Sequence, residues 1–249
     1  MKQFDKHADA YHRIRDRIRY PESVYSTIAS RTKSQESVLD IGCGNGVSTV
    51  RLRPHFDYVE GCDLSPNLIA KAQSTHSELV FSVSPAETYQ SARRFDAVTS
   101  ATSFYWMDRE KVLVKLRQLL KPGGIFCAYK YDFPIVYGPL RDFIEKELVT
   151  KWCKFRDERL TKYDDSLELI AACGWMSSAE RLVFPNIIDL SPREVGLFFL
   201  SSSYVTRYVE SQNGDYAEEF LRRIAEIEPS DNVKVNFDIH AFFAQYGGE

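Results

Sequence analysis

The segment Val38-Leu39-Asp40-Ile41-Gly42-Cys43-Gly44-Asn45-Gly46 sets an acidic residue and three alternating glycines directly after a short apolar run. Glycine accepts a positive φ, and its missing Cβ lets backbone N–H groups approach a ligand closely. A helix start beyond the loop adds the positive end of a dipole. A second acidic residue, Asp63, lies 19 residues after Gly44 and ends the next apolar run. That is the spacing at which a carboxylate meets a ribose diol in nucleotide-binding folds. A dinucleotide loop, G-x-G-x-x-G, would need a glycine at 47, where the chain has Val47; the pattern is D-x-G-x-G-x-G, with no Lys-Ser or Lys-Thr pair of a P-loop after it.

Such residues need strands and helices to carry them. Residues 22–33 read as a helix, and Ser37 to Ile41 as a buried strand ended by glycines. A helix from Gly46 to Leu52, a strand at Tyr58 to Cys62, and a helix opened by Ser65-Pro66 follow. Strands at 78–83, 96–100 and 125–131 and a helix over 108–120 complete an alternation that predicts a parallel sheet covered on both faces. Residues 139–174 read as mainly helical, 180–190 as a strand, and 191–226 as helices with a capped start at Ser191-Pro192-Arg193-Glu194. The segment 236–245 fits a strand or a helix equally.

Composition bounds the partners. The 249 residues carry 32 Lys and Arg against 35 Asp and Glu, a net charge of −3, which disfavours a protein that lives on nucleic-acid phosphates. With 44% hydrophobic residues the chain is an ordinary globular one. No apolar run reaches the ~20 residues of a membrane span, and the charged start lacks a signal peptide's apolar stretch, so a cytoplasmic location is expected. Five cysteines, with no C-x-x-C pair, read as free thiols, and no metal site is expected.

The glycine loop resembles motif I of class I S-adenosylmethionine-dependent methyltransferases, and Gly61-Cys62-Asp63-Leu64-Ser65 resembles their second motif. Ser84-Pro85-Ala86-Glu87, Phe95-Asp96-Ala97-Val98 and Leu119-Leu120-Lys121-Pro122-Gly123-Gly124 continue the resemblance in order through residues 37–131. The stretch from Ser100 to Asp108 is similar to that of the trans-aconitate-methyltransferase-like group of small-molecule enzymes, with Tyr105 where that group often has His. The resemblance implies an α/β Rossmann-like fold, a doubly wound, mainly parallel seven-stranded sheet. It also implies one domain over 1–249, with an N-terminal helical cap (1–25), a cofactor-binding core (26–135) and a helical insertion covering the substrate (185–235).

It further implies S-adenosyl-L-methionine as cofactor. Gly42, Cys43 and Gly44 would lie against its methionine part, and Asp40 would face the ammonium or order the loop. Asp63 would accept both ribose hydroxyls. Leu64 would cover adenine, Ala86 and Glu87 would read its edge, and Ala101 or Thr102 would touch the methionine chain. Tyr11 and one of Arg15 and Arg17, in a segment leading to Tyr20-Pro21, would close the site on the carboxylate. Tyr105 and Trp106, with Tyr204 and Arg207 from the stretch Ser201 to Tyr208, would meet a small-molecule substrate, Arg207 holding an anionic group. No catalytic base is demanded, because methyl transfer from a sulfonium is an in-line displacement that mainly needs positioning and exclusion of water. The implied reaction is methylation of oxygen or nitrogen on a small metabolite, a carboxylic acid among the candidates. An RNA-modifying enzyme with a partner, and an inactive cofactor-binding regulatory subunit, are the rival classes.

Val47 generates a direct expectation: calorimetry should detect binding of S-adenosylmethionine or S-adenosylhomocysteine and none of NAD. Binding of NAD alone would overturn the reading of the loop.

Overall fold

The computed structural model describes residues 18–158, 165–212 and 214–248. They divide into two compact units, the larger from the described parts of Tyr20–Asp132, Tyr163–Phe184 and Ile239–Glu249, the smaller from those of Met1–Arg19, Phe133–Lys162 and Pro185–Asp238.

The larger unit is a seven-stranded sheet. Its strands are β1 (Ser37–Ile41), β2 (Tyr58–Asp63), β3 (Val80–Val83), β4 (Phe95–Ala101), β5 (Leu120–Tyr131), β7 (Met176–Phe184) and β10 (Ile239–Tyr246), in the order β3-β2-β1-β4-β5-β10-β7. The pairs among β1 to β5 are parallel, and β10 runs antiparallel between β5 and β7. Every residue of β1 is buried, as expected of a strand covered on both faces. One face carries α1 (Glu22–Ser30) and α2 (Pro66–Thr75), whose Val24, Ile28 and Ile69 pack on Val38, Val59 and Ala97. On the other, α3 (Arg109–Leu119) and α5 (Ser166–Ala171) bring Val112, Leu116 and Ile170 to Leu39, Val98 and Phe126. Among the described residues no helix is long and apolar enough to cross a membrane.

Local chemistry sets the boundaries. Ser65 caps α2 through the Leu68 amide, with Pro66 in the first turn. The helix expected over Gly46 to Leu52 shrinks to one 3₁₀ turn, Thr49–Leu52, because Gly46 enters at φ +83° and Pro54 follows directly. The Leu-Lys-Pro-Gly-Gly stretch belongs to β5 itself. Its Lys121 reaches Glu36 at 2.7 Å and the buried Asp96 at 3.0 Å, and Asp96 also accepts from the Ser37 amide at 2.9 Å. Burial alone would raise Asp96, yet the Ser34 hydroxyl, Lys121 and the Ser37 amide hold its carboxyl below the ordinary value. This network ties β1, β4 and β5 at the edge opposite the glycine loop.

The segment expected as one strand over 180–190 is two. Pro185 separates β7 from β8 (Ile187–Leu190), which joins β6 (Ile135–Val136) and β9 (Val233–Asn236) in a three-stranded sheet of the smaller unit. The helices there are α4 (Leu140–Glu147), α6 (Pro192–Leu200), α7 (Ser203–Ser211) and α8 (Tyr216–Ile227). Their core is aromatic: Trp152 stacks on Phe199 at 5.6 Å and meets Phe220 edge-on at 5.5 Å, while Phe143 stacks on Phe220 at 5.6 Å. These contacts draw Phe143 and Trp152 into one body with 185–238, a pairing that helical periodicity does not announce.

At α6, Ser191 Oγ accepts from the Glu194 amide while Glu194 accepts from the Ser191 amide at 2.7 Å, a complete capping box. Ser191→Ala should cost about 1 kcal/mol of stability, read as a lower midpoint in urea with unchanged slope.

Candidate active site

The strand order reverses between β1 and β4, and the crevice at their carboxyl ends is where ligands of open parallel sheets bind. Asp40 lies in that seam with no exposed surface. Its two oxygens accept from Thr49 Oγ1 at 2.7 Å and Thr99 Oγ1 at 2.9 Å. Burial pushes its carboxyl up to about 6, the two hydroxyls oppose that rise, and the charge of Asp63 adds to it. Asp40 thus fastens the glycine loop to β1 and β1 to β4.

The glycines of the loop serve different ends. A Cβ on Gly42 (φ +66°) would come within 2.6 Å of Ser103 Cβ, so this glycine admits the segment after β4, whose Ser103 Oγ donates to the Gly42 carbonyl at 2.7 Å. A Cβ on Gly44 (φ +56°) would meet nothing within 4 Å among the described residues: the loop opens there. The Cys43 thiol between them is pushed far up by burial, and that of Cys62 up to about 12 for the same reason, which excludes both as thiolate nucleophiles.

Asp63 ends β2 beside the loop. Oδ2 accepts from the Gly44 amide at 3.0 Å and Oδ1 from the Ser65 amide at 2.8 Å. A carboxylate has about four lone-pair directions, so both oxygens retain acceptor capacity toward a diol. Leu64, next to it, is 74% exposed. Ala86 is buried, and Glu87 Oε1 accepts from the Asp108 amide at 2.9 Å, which secures the start of α3.

The end of β4 carries a signal that sequence reading missed. Thr102 holds φ +51°, a costly conformation for a β-branched residue, on the order of 1–3 kcal/mol. Its amide donates to the Tyr129 carbonyl at 2.7 Å and its hydroxyl bonds that of Tyr20. Burial drives the Tyr20 phenol well up, keeping it protonated. Ala101 precedes this kink, half-buried. Beyond it, Ser100, Thr102, Ser103, Tyr105, Lys130 and Ser166 line a cleft of the larger unit. The buried Ser100 Oγ has no hydrogen-bond partner among the described residues. Tyr105 and Trp106 pair at 5.0 Å between ring centroids, with Trp106 partly exposed.

Asp40, Gly42, Cys43, Gly44, Asp63, Leu64, Ala86, Glu87, Ala101, Thr102, Tyr105 and Trp106 all belong to the larger unit. Tyr204 and Arg207 are on α7 of the smaller one. There Tyr204 is buried with the Arg156 guanidinium over its ring at 5.6 Å, and Arg207 is exposed, donating to the Phe155 carbonyl at 3.5 Å. Tyr11, Arg15 and Arg17 lie outside the described residues.

Residues 38–124, from β1 into β5, match the family described as a methyltransferase domain. Over that stretch the chain resembles S-adenosylmethionine-dependent methyltransferases. Among curated relatives, it is 28% identical over 165 residues to the probable S-adenosylmethionine-dependent methyltransferase CRG1 of Saccharomyces cerevisiae, covering 58% of this chain and 57% of that protein. It is 30% identical over 100 residues to trans-aconitate 2-methyltransferase of Escherichia coli (39% and 40%). It is 32% identical over 129 residues to malonyl-[acyl-carrier protein] O-methyltransferase of Porphyromonas gingivalis (51% and 48%). The alignments thus span about half of these relatives' lengths. In fold, a solved protein of Anaeromyxobacter dehalogenans, described as a candidate type II methyltransferase, superimposes with a TM-score of 0.75 at 20% identity, covering 93% of this chain and 98% of that one.

The larger unit fits the nucleoside that this resemblance implies. The space that the described residues leave above Gly44, the unspent acceptor directions on Asp63 and the exposed side chain of Leu64 together suit a ribose and a flat apolar ring.

Asp40 gives this domain a pH signature. Since its carboxyl sits near 6 when folded and 3.8 is its ordinary value, the folded state retains a proton that the unfolded chain releases in between. Stability therefore falls as pH rises through that window, by about 3 kcal/mol in total. Urea unfolding at about pH 4 and about pH 7 should show Asp40→Asn escaping this loss relative to the parent protein. An equal pH effect in both would mean that Asp40 does not titrate there.

Proposed function

We propose that this protein transfers a methyl group from S-adenosylmethionine to oxygen or nitrogen of a small metabolite, with carboxylic acids as the favoured acceptors. The observation that carries the reading is Asp63, gripped by the Gly44 and Ser65 amides at the mouth of the β1–β4 crevice with acceptor capacity left for a diol. Two relatives named for acidic acceptors, trans-aconitate and a malonyl group, support the choice of class. The net charge of −3 favours a small molecule over a nucleic acid.

When bound, S-adenosylmethionine supplies an electrophilic methyl group on a sulfonium. The chain's own part is to bind, orient and keep water out. Asp63 holds the ribose, Leu64 covers one face of the adenine, and Ala86 with Glu87 borders its edge. Gly42, Cys43 and Gly44 receive the methionine end, and the kink at Thr102 sets the wall opposite. Tyr105 and Trp106 offer π-faces to the cationic centre, worth about 0.5–2 kcal/mol. A carboxylate acceptor arrives ionised at neutral pH, so no side chain must remove a proton from it.

The test pairs binding with turnover. Asp63→Ala should weaken S-adenosylhomocysteine by roughly 1.5–3 kcal/mol, the scale of hydrogen bonds to a charged group. Asp63→Asn, which keeps an acceptor for one backbone amide, should lose affinity as well while unfolding like the parent. Wild-type protein given labelled S-adenosylmethionine and a metabolite extract should label an acid-derived product identifiable by mass. An unchanged Kd in both variants would remove Asp63 from the ribose site.

A further inference from the structure

Tyr20-Pro21, the pair that stands at the threshold of α1, reaches the site through Thr102. Pro21 precedes the helix at φ −64° and ψ 148°, and its carbonyl accepts the Val24 amide at 3.0 Å. Proline fixes its own φ and keeps the residue before it out of the helical region. α1 in turn is anchored in the core by Val24, Tyr25 and Ile28, and the Tyr20 side chain packs against the same cluster. Tyr20 is therefore presented to the sheet from a fixed backbone.

Its hydroxyl bonds that of Thr102, 82 positions on, where β4 ends and the backbone turns left-handed at φ +51°. A β-branched residue stays in that region only when its surroundings hold it there. Two bonds do so: the Thr102 amide donates to the Tyr129 carbonyl at 2.7 Å, and the Thr102 side chain meets Tyr20. Tyr129 also joins the two. Its ring meets Tyr20 edge-on at 5.0 Å between centroids, and its hydroxyl bonds Ser48 Oγ at 2.5 Å in the segment leaving the glycine loop. Burial drives the phenols of Tyr20 and Tyr129 well up, so both keep their protons and bring no charge to the crevice. Each of the two bonds that hold Thr102 is of the same order as the cost of its backbone conformation, so losing one lets the kink relax.

We propose that Tyr20 is a positioning residue, whose hydroxyl holds Thr102 in the left-handed conformation that shapes the wall for the methionine end of S-adenosylmethionine. The assignment rests on the cofactor reading above. Tyr20 acts through the backbone at Thr102, so its effect falls on the amino-acid end of the ligand and spares the nucleoside end at Asp63 and Leu64.

A double-mutant cycle read by calorimetry tests this without turnover. Tyr20→Phe keeps the ring and removes only the hydroxyl; it should raise the Kd of S-adenosylhomocysteine about three- to tenfold, the scale of one hydrogen bond. The Kd of 5′-methylthioadenosine, which has the nucleoside and no amino-acid end, should stay within about twofold. In a Thr102→Gly background the backbone takes a positive φ at no steric cost and offers Tyr20 no hydroxyl, so adding Tyr20→Phe should change S-adenosylhomocysteine binding by less than about twofold. Tyr58→Phe, which removes a hydroxyl bonded to Glu60 at 3.1 Å on β2, should leave the Kd unaltered. Equal S-adenosylhomocysteine affinity in the parent protein and Tyr20→Phe overturns the positioning role and leaves the methyltransferase reading intact. Equal weakening of both ligands, or an equal loss in both backgrounds, means that the hydroxyl supports the fold at large and overturns the role as well. Absence of S-adenosylhomocysteine binding to the parent protein overturns the cofactor reading and the role with it.

Discussion

A carboxylate sealed from water sits where the strand order reverses, and two threonine hydroxyls keep it there. Asp40 takes Thr49 from the loop behind β1 and Thr99 from β4, so one side chain fixes both walls of the crevice. Everything facing a ligand follows from that fixation. The Gly44 amide is presented where Asp63 can hold it, Gly42 is pressed against Ser103, and Thr102 kinks immediately past the last buried residues of β4. A neutral polar group in the seam would bridge the same hydroxyls with a smaller desolvation penalty. Asp40 instead brings negative charge to the floor of a site proposed to accept a cation.

The two edges of the large sheet divide the work. At the amino ends of β1, β4 and β5, Lys121 and Asp96 join strands through a partly buried ion pair with several backbone and hydroxyl bonds, so these polar groups answer one another. At the carboxyl ends, polar groups are spread over loops and one of them, Ser100 Oγ, is left without a protein partner among the described residues. One edge is saturated with internal bonds; the other keeps some in reserve.

Much of this was legible in the chain because its signals are local. Buried parallel strands show as short apolar runs, and Ser65-Pro66 and Ser191 through Glu194 announce helices through hydrogen bonds spanning three residues. The loop and Asp63 were legible because glycine spacing and a strand-length offset are fixed by backbone geometry. What depends on distant partners was not. Gly42 owes its lack of a side chain to Ser103, 61 positions on, and Thr102 owes its left-handed backbone to Tyr129 and Tyr20. The aromatic cluster that joins Trp152 to Phe199 and Phe220 is likewise invisible to periodicity, since each ring only fills a helix face in sequence.

The antiparallel strand β10 carries a consequence for synthesis. It pairs with β5 on one side and β7 on the other, so it forms the middle of that half of the sheet, yet it follows β5 only after the whole of residues 132–238 has been made. At ribosomal speeds of roughly 5–20 residues per second, the interval is about 5 to 20 seconds. Throughout it, β5 is a long strand with an open row of backbone donors and acceptors and with Phe126 and Cys127 beside them. The nascent chain must therefore shield that open edge until β10 emerges, and most of the smaller unit is made in the interval.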